Sequence, residues 1–222
     1  MAQFIEYLKT VDSPTLSNAI ELLNMRPRQE GFTPLSIRCL FPELGRLAGY
    51  AVTAHVETMT QMEPMDRGKF VELYEAVAAS PPPAVVVFQE LGPHGAYAAH
   101  CGEVMATIFT RLGAVGLVSD CGVRDLPEVR ALKFQYFARG SVVSHAHFRI
   151  VRVGAPVQVE GLMIRGGDIL HGDENGVLLV PPGLEGSLPA KVEEIRSREG
   201  KLMAWVRGGD FKVEELRTKM AE

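Results

Sequence analysis

The order of apolar and polar positions is most informative in the middle of the chain. Apolar residues recur at roughly helical spacing over residues 104–112, which predicts a helix with one buried face. Gly113 ends that pattern, and residues 114–118 form an apolar run of strand length. A polar turn over residues 119–125 follows at once. A buried strand that ends in charged residues carries them to one edge of a sheet, where open α/β sheets bind ligands.

A second apolar run, AVVVF at residues 84–88, predicts a central parallel strand. A glycine-rich loop over residues 91–102 leads from it into the predicted helix, which carries Glu103. If the two strands are parallel neighbours, the start of this helix and the polar turn lie at the same edge of the sheet. The first N–H groups of a helix lack intrahelical partners and favour an anion.

Arg124 and Asp125 are the candidate functional residues of the turn. Arg124 can bind a carboxylate or a phosphate with two hydrogen bonds. Asp125, together with Glu103, can hold a hard divalent cation through oxygen. These residues would place an anion site beside a metal site. The structural alternative is a salt bridge of Arg124 with Asp125 or Glu128 that closes the turn, and the spacing fits both readings.

The remaining pattern predicts an α/β protein with helices at both ends. Asp12 or Ser13 can cap a helix whose first position is Pro14. The further predicted helices cover residues 15–23, 69–79, 184–206 and 211–220. The further predicted strands cover residues 47–59, 134–138, 142–143, 157–159, 163–164, 168–171 and 176–180. Loops are predicted at residues 25–44 and 62–68, and a hairpin turn at residues 173–176.

Length, charge and cysteine content narrow the class of protein. The 222 residues could form one large domain or a domain with appendages, and the hydrophobic content of 46% is typical of a globular protein. A net charge of −4 argues against a nucleic-acid partner, because phosphate binding needs a basic face. The three cysteines form no C-x-x-C pair and suit a reduced compartment. With no membrane-length apolar segment and no signal peptide, we expect a cytoplasmic protein without a membrane partner.

The central motif resembles the RraA-like family. The residues that carry the resemblance are Gly102-Glu103, the run Asp120-Cys121-Gly122-Val123-Arg124-Asp125, and Glu128 three positions later. Residues 11–23, 45–53 and 157–181 are also similar to family segments. The resemblance implies a swivelling β/β/α fold assembled as a homotrimer or a homohexamer. It divides the single domain into an N-terminal helix and loop (1–44), a β/β/α core (45–182) and a C-terminal helical extension (183–222).

The family includes class II pyruvate aldolases, and the resemblance implies their chemistry. Such an enzyme would cleave a 4-hydroxy-2-oxo dicarboxylic or tricarboxylic acid to pyruvate and a second keto acid, and would also decarboxylate oxaloacetate. Asp125 would bind Mg²⁺ or Mn²⁺ with support from Glu103. Arg124 would bind the 2-keto acid and stabilise its enolate. The substrate carboxylate would lie at Gly102 and the backbone N–H groups of Val104 and Met105, and a neighbouring subunit would supply Glu199.

Several alternatives remain open from the sequence. Some members of the family are non-catalytic regulators that bind a ribonuclease, so this chain could be one of them. His100 is either a proton shuttle or an ordinary loop histidine. Cys121 is expected to be a buried structural thiol. His145 and His147 could place two imidazoles on one strand face as ligands of a transition metal.

Overall fold

The computed structural model describes residues 1–60 and 66–220. It has the mixed α/β architecture that the sequence predicts, with helices at both ends. The helices are α1 (Ala2–Leu8), α2 (Ser13–Leu22), α3 (Arg67–Ala79), α4 (Glu103–Arg111), α5 (Leu126–Ala131), α6 (Leu188–Arg207) and α7 (Leu216–Lys219). The strands are β1 (Arg38–Cys39), β2 (Leu47–Met59), β3 (Ala84–Glu90), β4 (Ala114–Ser119), β5 (Gly122–Val123), β6 (Gln135–Ala138), β7 (Gly140–Ser141), β8 (His147–Val153), β9 (Val157–Val159), β10 (Leu162–Ile164), β11 (Ile169–Asp173) and β12 (Gly176–Val180).

One large, nearly closed sheet organises the molecule. Its strand order is β1-β6-β4-β3-β2-β11-β12, and β8 also pairs with β2. The pairs β2/β3, β3/β4 and β4/β6 are parallel, so the carboxyl ends of these four strands meet at one edge. This confirms the predicted adjacency of β3 and β4. The first half of β2 pairs antiparallel with β11 and its second half with β8.

Successive residues of β3 pack into different layers of the core, because side chains alternate across a sheet. Val86 and Phe88 join α3, α4 and α5 on the outer face. Val85 and Val87 face the interior of the curved sheet with β9 and β10. All four side chains are fully buried, and burying each contributes about 1.5–3 kcal/mol. The strand ends that carry the polar turns are therefore firmly anchored.

A third apolar cluster joins the two ends of the chain. Helices α1, α2 and α6 pack on β11, β12 and the start of β2, with Leu16 and Val192 buried between them. Asp12 caps α2 by accepting a hydrogen bond from the backbone N–H of Thr15 at 2.8 Å. None of the helices in the described part of the chain combines the length and apolar character needed to cross a membrane.

Several predicted boundaries were wrong. The strand β8 was missed, although its sequence HFRIVRV buries Phe148 and Ile150 at alternate positions. The short strand predicted at residues 142–143 lies instead at Gly140–Ser141. Helix α6 begins at Leu188 rather than at residue 184, because a turn precedes it. Of the loop predicted at residues 62–68, positions 62–65 lie outside the described residues, and α3 already begins at Arg67.

Candidate active site

A cavity of ≈ 220 Å³ opens at the carboxyl edge of the parallel strands, between the start of α4 and the turn that follows β4. Phe70, Met105 and Phe148 contribute apolar lining, and Arg124 and Asp125 contribute charged lining. Gly102 and Val104 line it as well. The cavity therefore collects most of the residues that the sequence marked as a candidate site.

Gly102 allows the acidic side chain to approach the backbone closely. A Cβ atom at this position would lie 2.3 Å from Oδ2 of Asp125 and 3.0 Å from Nε of Arg124. Any larger residue would displace the carboxylate. In its observed position, Oδ2 of Asp125 accepts a hydrogen bond from the backbone N–H of Glu103 at 2.9 Å. The carboxylate is thus docked against the first turn of α4.

The backbone of Asp125 adopts a left-handed conformation, with φ 57° and ψ 45°. Residues other than glycine rarely do so, and aspartate and asparagine are the most tolerant of them. Two hydrogen bonds hold the segment in place, from Arg124 N to Cys101 O and from Val129 N to Asp125 O, both at 3.0 Å. Strained residues of this kind cluster at functional sites. The conformation turns the Asp125 side chain back towards α4.

The polar wall retains free capacity for a ligand. Within the described residues, Oδ1 of Asp125 has no hydrogen-bond partner, and the N–H groups of Val104 and Met105 have no acceptor. Arg124 Nε lies 3.5 Å from Asp125 Oδ2, with both side chains about one third exposed. The salt bridge that was the structural alternative therefore exists. At this distance and exposure it contributes little to stability, and it leaves both groups accessible.

Two predicted site residues do not place their side chains in this cavity. The side chain of Glu103 is exposed and does not line it, and the residue contributes its backbone N–H to Asp125. Glu199 is exposed on α6, which packs on α2. Within one chain it is not a lining residue. Its role in a neighbouring subunit stays a prediction.

The two histidines near residue 146 do not share a strand face. His145 precedes β8 and lines the cavity, whereas His147 is the first residue of the strand. Between them, Ala146 has a positive φ of 49°, which turns the chain. The Nδ1 atom of His145 lies 2.5 Å from the carbonyl oxygen of Ala146. Because a carbonyl only accepts, Nδ1 is the donor in this contact, and Nε2 is the nitrogen that can accept in the neutral ring.

A buried polar cluster lies directly beneath the cavity, and we refer to Thr58, Glu90, His100 and Cys121 as the Glu90 cluster. Oε2 of Glu90 is 2.5 Å from Thr58 Oγ1, 2.9 Å from His100 Nε2 and 3.5 Å from Cys121 Sγ. Oε1 accepts the backbone N–H groups of Thr58 at 2.8 Å and Gly92 at 2.7 Å. The carboxylate therefore has five donors around it.

These donors set the ionisation of the cluster. Burial alone would raise the pKa of Glu90, but the hydrogen bonds from His100, Thr58 and Gly92 outweigh it and lower the pKa to about 2. Burial is also the main reason why the pKa of the Cys121 thiol is raised. The expectation that the Cys121 thiol is buried is confirmed. His100 touches the cavity, yet Nε2 faces Glu90 and Nδ1 lies 3.2 Å from Ser119 Oγ.

Four residues of this region were not predicted from the sequence: Thr58, Phe70, Glu90 and Phe148. Glu90 is the last residue of β3, just as Asp120 directly follows β4. The polar end of β3 was therefore a signal in the sequence that could have identified Glu90 as a site residue. Phe148 would have followed from recognising the alternation of β8. Phe70 and Thr58 carry no signal in the sequence, because only the pairing of β2 with β8 and the packing of α3 on β8 bring them here.

Comparison with known proteins identifies relatives of the whole core. The sequence profile of the RraA-like family, described as Aldolase/RraA, matches residues 13–179. A protein from Halalkalibacterium halodurans, provisionally named a 4-hydroxy-4-methyl-2-oxoglutarate aldolase, is 26% identical over 193 residues. That match covers 86% of this chain and 82% of the relative.

Solved structures share the fold. An uncharacterised protein from Pseudomonas syringae superposes with a TM-score of 0.72 at 20% identity, and the match covers 98% of each chain. RraAS2 from Streptomyces coelicolor, an unusual member of the RNase ES inhibitor RraA protein family, gives a TM-score of 0.72 at 21% identity. That match covers 91% of this chain and 96% of RraAS2. At these identities the likeness confirms the fold alone, including the β/β/α core implied by the resemblance.

Proposed function

The chain belongs to the RraA-like (Aldolase/RraA) family, and from this premise we propose that it is a divalent-metal-dependent aldolase. It cleaves a 4-hydroxy-2-oxo dicarboxylic or tricarboxylic acid to pyruvate and a second keto acid, and it also decarboxylates oxaloacetate. One observation carries the proposal. Arg124, Asp125 and the two unpaired N–H groups at the start of α4 converge on a single cavity.

The donor set at Asp125 fits a hard divalent cation. Its Oδ1 atom faces no competing donor within the described residues, and the side chain is about one third exposed. Mg²⁺ and Mn²⁺ are commonly held by one or two carboxylates together with water. Asp125 would be the ligand, and the exposed Glu103 carboxylate would act through water. When bound, the ion supplies Lewis-acid stabilisation of the negative charge that develops on the keto acid.

The protein groups of the cavity perform the remaining tasks. The N–H groups of Val104 and Met105, at the positive end of the α4 dipole, bind the substrate carboxylate. Arg124 pairs with the keto and carboxylate oxygens and stabilises the enolate as its charge grows. Phe70 and Phe148 exclude water from the reacting carbons. Both nitrogens of His100 are engaged, so we assign the proton of the C4 hydroxyl to Nε2 of His145.

The proposal also has a quaternary part. We propose a homotrimer or homohexamer, in which Glu199 on the exposed face of α6 reaches the cavity of a neighbouring subunit.

The second candidate function is a regulator without catalytic activity that binds a ribonuclease. The fold is shared with an unusual member of the RNase ES inhibitor RraA protein family, so turnover, rather than shape, separates the two functions.

The test is pyruvate release from oxaloacetate and from 4-hydroxy-4-methyl-2-oxoglutarate, measured with Mg²⁺, after EDTA, and after Mg²⁺ is restored. We expect turnover that EDTA abolishes and Mg²⁺ recovers. Asp125→Ala protein, purified in the same way, is the blank for contaminating decarboxylases. Glu75→Ala removes an exposed acid on α3 that does not line the cavity, and it is the matched control. A folded oligomer without turnover on either substrate would contradict the assignment and favour the regulator.

A further inference from the structure

Four donor atoms of the Glu90 cluster converge from four separate segments of the chain. They are Oγ1 of Thr58 at the end of β2, Oε2 of Glu90 at the end of β3, Nε2 of His100 before α4, and Sγ of Cys121 after β4. The Glu90, His100 and Cys121 ligand atoms all lie within 4.8 Å of one another. Thr58 Oγ1 lies 2.5 Å from Glu90 Oε2 and 3.4 Å from His100 Nε2.

This spacing is close to the first shell of a tetrahedral zinc ion. With bonds of about 2.0–2.3 Å, the ligand atoms of such a shell are separated by roughly 3.3–3.8 Å. Four separations among these atoms, at 2.5, 2.9, 3.4 and 3.5 Å, lie in that range or within about 1 Å of it. Gly95 lets the thiol pack closely at this position, because a Cβ atom there would lie 2.5 Å from Cys121 Sγ.

Charge and burial favour an ion at this point. The side chains of His100 and Glu90 are 0% and 7% exposed, and Cys121 is buried. A divalent ion held by one carboxylate, one thiolate, a neutral imidazole and a hydroxyl gives a shell with no net charge, which a buried site requires. Sulfur and imidazole ligands select zinc over magnesium. His100 lines the cavity, so the cluster lies against the cavity wall.

We propose that Glu90, His100, Cys121 and the Thr58 hydroxyl form a closed structural site for Zn²⁺ beneath the active-site cavity. The site is distinct from the magnesium position at Asp125 and does not depend on the proposed function. On binding, the Cys121 thiol releases one proton to solvent. In the ion-free cluster the imidazole proton lies on Nε2 and is donated to Glu90; on binding it is exchanged through solvent for a proton on Nδ1. Nε2 then binds the ion, and Nδ1–H donates to Ser119 Oγ, which orients the neutral ring.

The decisive measurement is made on the full-length wild-type protein loaded with Zn²⁺ or Co²⁺. We expect one ion per chain, and a zinc X-ray absorption spectrum with one sulfur at about 2.3 Å and lighter ligands at about 2.0–2.2 Å. The cobalt form should show a thiolate-to-metal charge-transfer band and tetrahedral d–d bands. Removal of zinc with dipicolinate should lower Tm by roughly 5 °C or more, and zinc, but not magnesium, should restore it.

Variants identify the ligands. Cys121→Ser and His100→Gln should each weaken zinc binding at least 100-fold, and Cys121→Ser should abolish the charge-transfer band. Cys101→Ser, which removes another buried thiol, and Asp125→Ala should both retain the ion. If Cys121→Ser does not fold, the sulfur count in the wild-type spectrum decides alone. A wild-type protein that binds no zinc, or binds it without sulfur, overturns the site. Magnesium-dependent turnover in such a protein would leave the aldolase proposal intact.

Discussion

Asp125 and Glu90 are carboxylates at the same edge of the sheet, and their surroundings differ in kind. Asp125 is about one third exposed, has one backbone donor and keeps an oxygen free within the described residues. Glu90 is 7% exposed and is surrounded by five donors. Asp125 can therefore bind a ligand reversibly. Glu90 stabilises the segments that carry Asp125.

The difference predicts which property each region controls. Loss of a carboxylate that still has an unpaired oxygen should remove activity and leave the fold intact, because few protein contacts depend on it. Loss of a group whose capacity is satisfied leaves buried donors without acceptors and destabilises the fold. Measuring turnover and stability together on matched variants tests this separation.

The largest effect is expected at the open carboxylate. Asp125→Ala should lower kcat for pyruvate release at least 10³-fold, equivalent to about 4 kcal/mol of transition-state stabilisation. Circular dichroism, oligomeric state and Tm should remain close to wild type. Arg124→Ala should also lower kcat; a rise in KM alone would show that Arg124 only binds substrate. Full activity of Asp125→Ala would contradict the metal assignment.

The closed carboxylate should respond in the opposite way. Glu90→Gln removes a buried charge from its donors and should lower the free energy of unfolding by roughly 3 kcal/mol. For a chain of this size that corresponds to a fall in Tm of roughly 6–12 °C, measured by calorimetry. Glu128→Gln, at an exposed acid, is the control and should change Tm little. A Glu90→Gln protein as stable as wild type would remove the distinction between the two regions.

Gly102→Ala tests the contact that links helix and carboxylate. The new Cβ atom would meet Oδ2 of Asp125 at 2.3 Å, so the carboxylate must move. We expect kcat/KM to fall roughly 10- to 100-fold, since a misplacement of about 1 Å is costly in catalysis. Gly186→Ala is the matched control, because a Cβ atom there meets no atom within 4 Å. Equal kcat/KM values in the two variants would show that the position of Asp125 tolerates movement.

A second buried polar cluster, around His171, is expected to give the smallest effect, a change in the pH dependence of stability. His171 is fully buried in β11, with Nδ1 3.0 Å from Ser13 Oγ. Burial lowers its pKa and outweighs the opposing effect of the Asp173 carboxylate. Other charges that act on the ring are those of Asp12 and Arg46.

The sign of the pH effect follows from this shift. Below the unfolded pKa of about 6.5, the unfolded chain binds a proton that the folded chain resists, so stability falls as the pH drops. The fall in Tm between pH 7.5 and pH 5 should therefore be smaller for His171→Asn than for wild type. Turnover at pH 7.5 should be unchanged. Parallel Tm profiles for the two proteins would show that His171 does not control this pH dependence.

The sequence predicted the framework of the site better than its interior. The bounds of β2 were predicted correctly, as was the adjacency of β3, β4 and the start of α4, because these segments carry long apolar runs ended by glycine or charge. The convergence of Gly102, Arg124 and Asp125 followed from that topology. The sequence did not show which polar groups have all their hydrogen-bond partners within the protein. The role of Glu103 as a backbone donor depends on side-chain direction, and the Glu90 cluster depends on four segments that meet only in the folded chain.

The left-handed backbone of Asp125 has a consequence for how this site evolves. Under the proposed function, position 125 must meet two separate requirements: a carboxylate that binds the metal, and a residue that tolerates positive φ. Asparagine and glycine satisfy the second and fail the first. A lineage that abandons catalysis should therefore drift at this position towards asparagine or glycine rather than towards alanine, and that choice would mark the loss of activity in an otherwise unchanged fold.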